Sequence, residues 1–313
     1  MIYANYSTII FYVGVIFAVY ILLNAVLHVA RLVNYYYWQK IGHKNVDWKA
    51  NGEWAVITGS TDGIGKCYAQ ELAERKFNIV LISRNMDKLK NTAKELEDTY
   101  EIKTIVIVAD MKQPNVYEAI DSQLKSLDIG VLVNNVGMFY NLPDFYHNID
   151  GGSHEDLTNV NALSFLLLSA IVLPRMKEQN KGTIINISSA IGDLPFLIMG
   201  AYPACKRFIN ILSYALSHEC SGTNVKIRLV SPYFVITSMY IAESTYWKPL
   251  AKDYVKSAIN MTYSSVLKSY GYFSHELLHL ACILLPKSYV LNRMDLFLFD
   301  IKMDILELLK QKK

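Results

Sequence analysis

The 313-residue sequence predicts an α/β protein with a doubly wound parallel sheet and an N-terminal transmembrane helix. Three observations predict this fold class. An uncharged apolar run lies near the N-terminus, and short β-branched runs then alternate with amphipathic stretches from residue 51 onward. A glycine-rich turn joins the first of these runs to the helical pattern that follows it. Hydrophobic residues make up 52% of the chain and charged residues 19%, which excludes intrinsic disorder.

Charge and cysteine content exclude several classes of protein. The 31 Lys and Arg residues against 28 Asp and Glu residues give a net charge of only +3, so we expect no nucleic-acid partner. The four cysteines contain no C-x-x-C pair, which argues against a disulfide scaffold or a structural zinc site. His275 and His279 have the spacing of two ligands on one helix face, but no third ligand joins them. We therefore predict no metal site and interpret these histidines as a core or surface pair.

The first 50 residues are predicted to form a membrane anchor and its juxtamembrane segment. Residues 1–30 contain no Lys, Arg, Asp or Glu, and Thr8–Leu27 is long enough to cross a hydrocarbon core of about 30 Å as a helix. Basic and aromatic residues follow at Arg31, Tyr35, Tyr36, Tyr37, Trp38, Lys40, Lys44, Trp48 and Lys49. The basic residues favour a cytosolic position for the rest of the chain, and the aromatic ones favour the headgroup level. A cleaved signal peptide would need a basic segment before the run, and a buried core helix would not stay uncharged over this length.

Six short apolar runs predict the strands of one parallel sheet, in a single dinucleotide-binding catalytic domain over residues 51–240. They are Trp54–Thr58, Asn78–Ser83, Thr104–Ala109, Gly130–Asn134, Gly182–Ser188 and Lys226–Ser231. Helical patterns separate them, the longest from about Glu155 to Lys177. Near-continuous β-branched strands between amphipathic helices indicate a sheet covered on both faces. In such a sheet the ligand lies at the carboxyl ends of the strands.

The turn after the first strand has the pattern G-x-x-x-G-x-G of a phosphate-binding loop. Its candidate cofactor-binding residues are Gly59, Ser60, Thr61, Asp62, Gly63, Ile64 and Gly65. Gly59 permits a tight turn, and Gly63 and Gly65 let the backbone approach a pyrophosphate at the N-terminus of the following helix. An ordinary loop with three glycines is the alternative, but the strand before it and the helix after it favour a dinucleotide site.

The end of the second strand indicates which dinucleotide binds. A carboxylate there would bind the ribose 2′-hydroxyl of NAD, whereas this sequence has Ser83, Arg84 and Asn85. An arginine at this place can pair with a 2′-phosphate, although a solvated surface arginine is common. We therefore predict NADP(H) as the cofactor.

Four further residues, Asn161, Ser189, Tyr202 and Lys206, predict acid–base chemistry. Tyr202 and Lys206 are four apart in a helical pattern, so their side chains lie on one face. An isolated tyrosine ionises near pH ~10, and a lysine ammonium beside it would lower that pKa. Ser189 follows the fifth strand, where its hydroxyl could hold a substrate carbonyl oxygen. A tyrosine and a lysine with this spacing are usually a surface pair, but their order after the glycine turn and the NNVG string favours a site.

The strings TGSTDGIG, NNVG and YPACK, together with Ser189, resemble the short-chain dehydrogenase/reductase family over about residues 50–240. The strings GIGKCYAQELAERKFNIVLISRN, LVNNVG and SPYFVITSM, with the anchor, are similar to one membrane-bound group of that family. The group contains very-long-chain 3-oxoacyl-CoA reductases, 17β-hydroxysteroid dehydrogenases and a hydroxysteroid dehydrogenase-like branch regarded as inactive. The resemblance implies an NADPH-dependent reductase of a ketone on a long apolar substrate, either an acyl-CoA or a steroid. The alternative is a catalytically inactive protein that binds NADP(H).

The resemblance also implies a role for each matching residue. Tyr202 would donate the proton, Lys206 would lower its pKa and bind the cofactor ribose, and Ser189 would hold the substrate oxygen. Asn161 would support a proton-relay water. The other members of the cofactor-binding set are Asp110 near the adenine, Asn134 as a sheet-stabilising residue, and Val235 and Thr237 at the carboxamide.

Two residues beside the catalytic pair, Pro203 and Cys205, depart from the small Ser or Thr residues usual there. Pro203 is tolerated if it lies in the first turn of its helix, where its missing N–H is not needed. Cys205 is a poorer donor than serine, which would weaken contacts on the nicotinamide side. The intact set of four catalytic residues nevertheless favours activity.

Residues 241–313 are predicted to form a substrate lid and C-terminal helices of the same domain. Four aromatic residues of this part would suit a long apolar ligand or would equally close the core: Tyr246, Trp247, Tyr254 and Tyr263. Glu276–Leu285 is too short to span a bilayer. The resemblance implies an endoplasmic-reticulum membrane with the catalytic domain in the cytosol, or alternatively a mitochondrial membrane. It also implies a homodimer paired through long helices.

Overall fold

The N-terminal helix α1 (Ile2–Gly42) forms a unit of its own, residues 1–46, in the computed structural model. From Tyr6 to Leu27 the helix is apolar and its side chains are exposed on all sides, so this stretch is a candidate membrane span. Its 22 residues cover about 33 Å, enough for a hydrocarbon core. The structure describes residues 2–42, 48–140, 142–194, 198–263 and 266–311. The predicted basic and aromatic side chains that flank the span, other than Trp48, lie outside this description.

Trp48 packs into the second unit, residues 47–313. Its ring meets Phe77 edge to face, with 6.5 Å between the ring centroids. The Arg75 guanidinium lies over the same ring, 5.3 Å from its centroid. The basic and aromatic flank is one continuous run in the sequence, whereas the folded unit begins inside that run.

Seven parallel strands form the sheet of the second unit, in the order β3-β2-β1-β4-β5-β6-β7. The strands are β1 (Trp54–Thr58), β2 (Asn78–Ser83), β3 (Thr104–Val108), β4 (Ile129–Asn134), β5 (Gly182–Ile187), β6 (Val225–Val230) and β7 (Lys268–Ser269). The first six match the predicted strands to within one residue, so the doubly wound sheet is confirmed; β7 was not predicted. The chain order reverses between β1 and β4, and an open α/β sheet binds its ligand at the carboxyl ends beside such a reversal.

Helices cover both faces of the sheet because alternate strand residues point to opposite sides. The helices are α2 (Gly63–Glu74), α3 (Met86–Tyr100), α4 (Tyr117–Leu124), α5 (Gly151–Thr158), α6 (Ser164–Glu178), α7 (Ala201–Glu219), α8 (Ala251–Asn260), α9 (Phe273–Leu284) and α10 (Lys287–Gln311). Ala55 and Ile57 belong to the core cluster formed with α2, α3 and α8. Val56, between them in β1, belongs to the opposite cluster with α4 and α6.

The long helix predicted from about Glu155 to Lys177 is interrupted. A π-helical turn, Asn159–Leu163, joins α5 to α6. The stretch Gly151–Glu178 is long and apolar enough to pass as a second membrane span, but more than half of its apolar window is buried inside the unit. We therefore interpret it as a helix that packs in the core against the sheet.

The predicted lid contains a core helix as well as exposed aromatic residues. Tyr254 on α8 is fully buried, and its hydroxyl donates to the Tyr270 carbonyl oxygen at 3.0 Å. Tyr254 therefore closes the core. Tyr246 and Trp247 are exposed, and the side chain of Tyr263 lies outside the description.

Candidate active site

The glycine turn between β1 and α2 has the backbone that a phosphate cradle requires. Gly59 and Gly63 adopt φ angles of +62° and +50°, in the left-handed region that favours glycine. A Cβ at Gly65 would overlap the Gly59 carbonyl oxygen. Gly65 therefore lets the start of α2 pack on the turn, and the left-handed φ angles of Gly59 and Gly63 give the tight backbone that a pyrophosphate-binding loop needs.

Side chains of the turn hold it in place rather than reaching outward. The Asp62 carboxylate accepts the Gly63 N–H at 2.6 Å and caps α2. Ser60 is fully buried, with its hydroxyl directed to the Ile82 carbonyl oxygen at 3.4 Å, and the Thr61 and Ser83 hydroxyls are 3.2 Å apart. Ile64 packs against the core. Of these predicted residues, Ser60 could contact a cofactor only through its backbone.

The adjacent residues Asn134 and Asn135 have different functions because neighbouring residues at a strand end point to opposite sides. The buried Asn134 amide donates to the Asn186 Oδ1 at 2.9 Å and to the Ser169 Oγ at 3.1 Å, which ties the sheet to α6. The Asn135 amide donates to the Thr58 carbonyl oxygen at 2.9 Å. Asn135, which the sequence analysis did not select, is therefore the residue that ties β4 to the glycine turn.

The two candidate adenosine-side residues lie at the carboxyl ends of neighbouring strands. Arg84 follows β2 and is exposed, and Asp110 lies two residues after the end of β3 and is partly buried. The Asp110 carboxylate accepts the Lys112 N–H at 3.1 Å, which fixes its direction. An exposed arginine beside the glycine turn fits a 2′-phosphate.

The structure brings Ser189, Tyr202 and Lys206 together. Ser189 lies just beyond the end of β5, close enough to Tyr202 for its side chain to lower the pKa of the Tyr202 hydroxyl. The Lys206 Nζ donates to the Ile187 carbonyl oxygen at 3.3 Å and lies 5.6 Å from the centroid of the Tyr202 ring. Lys206 is only 4% exposed, so its stem is packed and its ammonium group is held in one place.

Burial determines the proton affinity of both catalytic side chains. It raises the pKa of Tyr202 to about 12, and the Ser189 side chain acts in the opposite direction. It lowers the pKa of Lys206 to about 8. The predicted lowering of the tyrosine pKa by Lys206 is not found within the protein alone, because the Nζ lies over the ring face rather than at the hydroxyl. Tyr202 is therefore a protonated phenol at neutral pH, the form that donates a proton.

The π turn places Asn161 beside this group. Its Nδ2 donates to the Met138 and Leu157 carbonyl oxygens at 2.9 and 3.1 Å, and its Oδ1 accepts the Met138 N–H at 3.2 Å. A Cβ at Gly137 would lie 3.1 Å from the Asn161 Oδ1 and 3.8 Å from the Lys206 Nζ. The loop after β4, the π turn and Lys206 therefore meet at one place. Such π turns are frequently found at functional sites.

The segment after β6 closes the site on the nicotinamide side. The Pro232 carbonyl oxygen accepts the Ala190 N–H at 2.9 Å, next to Ser189. Val235 is buried in the core. Thr237 packs against the glycine turn, since a Cβ at Gly63 would lie 3.0 Å from its Cγ2. Thr237 is thus the member of the predicted pair whose side chain faces the cradle.

The two departures from the family pattern are accommodated by the fold. Pro203 is the third residue of α7, which confirms its expected place in the first helical turn. Cys205 is buried, and burial raises the pKa of its thiol. The thiol is therefore a packed, protonated group.

A buried ionic network, which the sequence analysis missed, supports the turn that follows Ser189. Asp193 ends this turn, and both its carboxylate oxygens accept from the Lys268 Nζ at 2.7 Å. The Tyr270 hydroxyl donates to Asp193 at 2.9 Å, and the Asn210 amide donates to it at 3.2 Å. Strand β7 and helix α7 are thereby fixed to the catalytic turn.

The two histidines considered as metal ligands lie in or beside this C-terminal core. His275 is fully buried, and its Nδ1 accepts the Tyr233 N–H at 3.4 Å. His279 stacks on Tyr270 with 4.0 Å between the ring centroids. Among the described residues, no group of three or more His, Cys, Asp or Glu side chains could hold a metal ion.

The glycine turn and the Ser189, Tyr202 and Lys206 group together fit a dinucleotide-dependent oxidoreductase. The comparisons agree: a family model described as short chain dehydrogenase matches residues 53–246. The chain therefore belongs to the short-chain dehydrogenase family.

Two relatives and one solved structure show which members of the family the chain is similar to. It is 41% identical to the very-long-chain 3-oxoacyl-CoA reductase of Rattus norvegicus, covering 75% of this chain and 76% of the relative. It is 39% identical to hydroxysteroid dehydrogenase-like protein 1 of Gallus gallus, covering 73% and 71%. A short-chain dehydrogenase from Sphingobium yanoikuyae in complex with NADPH superposes with a TM-score of 0.62 at 28% identity, over 66% of this chain and 82% of that one.

Proposed function

We propose that this protein is an NADPH-dependent reductase of a ketone on a long apolar substrate, with Tyr202 as the proton donor. The observation that carries the proposal is the contact of Tyr202 with Ser189 and Lys206 beside a tight glycine turn. The substrate class comes from the relatives, since several at about 40% identity are named very-long-chain 3-oxoacyl-CoA reductases. A 3-oxoacyl-CoA is therefore the first substrate to test, and a steroid ketone is the second.

The proposed mechanism uses each residue where it lies. The dinucleotide would be held by the glycine turn, Thr237 and Lys206, and when bound it supplies the hydride. The Ser189 hydroxyl would donate a hydrogen bond to the substrate carbonyl oxygen and so orient it. Tyr202, with a pKa of about 12, stays protonated at neutral pH and would donate its proton to that oxygen as negative charge develops there. Lys206 would stabilise the phenolate that this step leaves.

NADPH is favoured over NADH by the residues at the end of β2. Arg84 is exposed there, and Ser83 and Asn85 stand beside it in place of a carboxylate. A guanidinium can pair with the 2′-phosphate that distinguishes the two cofactors. The NADPH complex of the Sphingobium yanoikuyae neighbour supports the same choice.

The test is to follow NADPH absorbance with the detergent-solubilised chain, adding first a long-chain 3-oxoacyl-CoA and then estrone. We expect turnover with at least one of them, and Tyr202→Phe should reduce kcat by about 10²–10⁴-fold because the ring remains and only the proton donor is lost. Turnover that is equal in Tyr202→Phe and the wild type would refute the mechanism.

The second candidate function is cofactor binding without turnover. It is motivated by the 39% identity to hydroxysteroid dehydrogenase-like protein 1 and by the residues Pro203 and Cys205 beside the catalytic pair. It predicts that NADPH at 100 times its Kd stabilises the fold by about 2.7 kcal/mol while neither ketone is reduced.

The exposed α1 helix supports anchoring in a membrane, and we propose the endoplasmic-reticulum membrane with the catalytic unit in the cytosol. Protease treatment of sealed microsomes would test this orientation, since a cytosolic unit is digested without detergent. We also propose a homodimer, because Leu166 on α6 and Phe208, Ile211 and Tyr214 on α7 are 38–55% exposed. Apolar side chains grouped on two long helices are typical of a protein–protein contact.

A further inference from the structure

Helix α10 packs into the same apolar cluster as the catalytic tyrosine. Leu298 of α10 is only 3% exposed and belongs to a cluster with Met199 and Cys205, against which Tyr202 packs. Phe297 and Ile301 of the same helix also pack on this cluster. The C-terminal helix is therefore part of the apolar packing around Tyr202.

Three aromatic contacts lie around this cluster, one at Tyr202 and two on α10. Phe139 meets the Tyr202 ring edge to face, with 5.0 Å between the ring centroids. Phe297 meets Phe234 at 5.2 Å, one residue before Val235. Phe299 lies 6.2 Å from Phe145, on the loop that follows β4. The rings of Phe297 and Phe299 therefore belong to the apolar surroundings of Tyr202.

An ion pair fastens α10 to the opposite side of this cluster. The Lys302 Nζ lies 2.7 Å from the Asp144 Oδ1, and the two side chains are 17% and 22% exposed. Asp144 also accepts the Phe145 N–H at 2.7 Å, so the pair is tied to the backbone beside the Phe145 and Phe299 rings. Breaking this ion pair would loosen the helix where it meets the aromatic rings.

We propose that α10 is the specificity element of this enzyme: Phe297 contacts the acyl chain of the substrate, and the Asp144–Lys302 pair holds the helix closed over it. The inference rests on the proposed function, because it assigns the chain-length preference of that same site. A four-carbon 3-oxoacyl group ends close to the reacting carbonyl, whereas an 18-carbon group must extend along the rings of α10.

The experiment compares kcat/KM for 3-oxooctadecanoyl-CoA and acetoacetyl-CoA with the full-length chain in detergent. In Phe297→Ala, the ratio of long-chain to short-chain kcat/KM should fall by roughly tenfold, as expected for lost apolar contact in a pocket. In Lys302→Gln it should fall by about threefold, and the exchanged pair Asp144→Lys with Lys302→Asp should restore it. The matched control is Lys181→Gln, which removes a 2.9 Å pair with Asp128 at the amino ends of the strands and should leave the ratio unchanged.

Hydrogen exchange of the α10 amides gives a readout that does not depend on turnover. Exchange should be faster in Lys302→Gln than in Lys181→Gln, and 3-oxooctadecanoyl-CoA should slow it in the wild type while acetoacetyl-CoA does not. If wild-type protein reduces neither acyl-CoA, the proposed function fails, and protection of α10 by the long acyl-CoA alone still supports this helix as the acyl-chain contact. An unchanged chain-length ratio in both Phe297→Ala and Lys302→Gln, or no selective protection of α10, would overturn the inference.

Discussion

Glu276 is a buried carboxyl whose replacement should change how stability depends on pH. It is 6% exposed, and its Oε1 accepts the Tyr270 N–H at 2.8 Å. Burial raises its pKa from 4.5 to about 7, against the opposing effects of the Tyr270 hydrogen bond and of Lys268. The folded chain therefore binds this proton more tightly than the unfolded chain does.

The sign and size of the effect follow from linkage. The stabilisation by the protonated carboxyl is fully present below pH 4.5 and is lost as the pH rises through about 7. The gap between the two pKa values corresponds to about 3 kcal/mol. The neighbouring His275 acts in the opposite sense, because burial lowers its pKa from 6.5 to about 4. Its stabilisation is present above pH 6.5 and is lost as the pH falls through 4, so the two slopes oppose each other between pH 4.5 and 6.5.

Glu276→Gln isolates the carboxyl, since glutamine keeps an acceptor for the Tyr270 N–H but does not titrate. We expect the free energy of unfolding of Glu276→Gln, minus that of the wild type, to increase by about 3 kcal/mol between pH 4.5 and pH 8. For a domain of this size that corresponds to a relative rise in Tm of about 8 °C, measured by thermal unfolding across this pH range. The exposed Glu118→Gln is the control. Parallel curves for Glu276→Gln and the wild type would show that Glu276 is ionised in the fold and would refute the reasoning.

Three further predictions concern cofactor and partner. Gly65→Ala places a Cβ against the Gly59 carbonyl oxygen. We expect the affinity for NADPH, measured by fluorescence, to fall by at least tenfold. The control Gly151→Ala, with open space around its Cβ, should bind NADPH as the wild type does. Arg84→Ala should weaken the binding of NADPH by roughly tenfold and change the binding of NADH little. Equal weakening of both cofactors would show that Arg84 does not contact the 2′-phosphate. Ile211→Glu should convert a dimer to a monomer in light scattering of the solubilised chain, and an unchanged mass would exclude this face as the interface.

The sheet and the glycine turn could be predicted because their signals are local. A β-branched run such as Asn78–Ser83 is buried on both faces, so the strand is visible in six consecutive residues. The turn is equally local, since its three glycines lie within seven residues and Gly65 packs on Gly59. Local patterns also placed Tyr202 and Lys206 on one helical face.

The sequence was less informative where two neighbouring residues could fill one role, or where a side chain could face either the core or a ligand. Whether Asn134 or Asn135 reaches the glycine turn depends on the pleat at one strand end, which the dipeptide itself does not encode. Tyr254 could not be separated from Tyr246 as core or ligand contact, because the difference is the packing of α8. The Tyr202 pKa is raised because the side chain is buried, and the spacing of Tyr202 and Lys206 does not show that burial.

The substrate side is the least predictable part because each contact there joins distant segments. Lys268 reaches Asp193 across 75 residues, and Phe299 and Lys302 pack beside Phe145 and Asp144 across more than 150 positions of sequence. A helix such as α10 shows by its periodicity that it has an apolar face, but not which surface it covers. If α10 contacts the substrate as we propose, substitutions on it can change specificity while the glycine turn and Tyr202 stay fixed, so that one fold can act on different ketones.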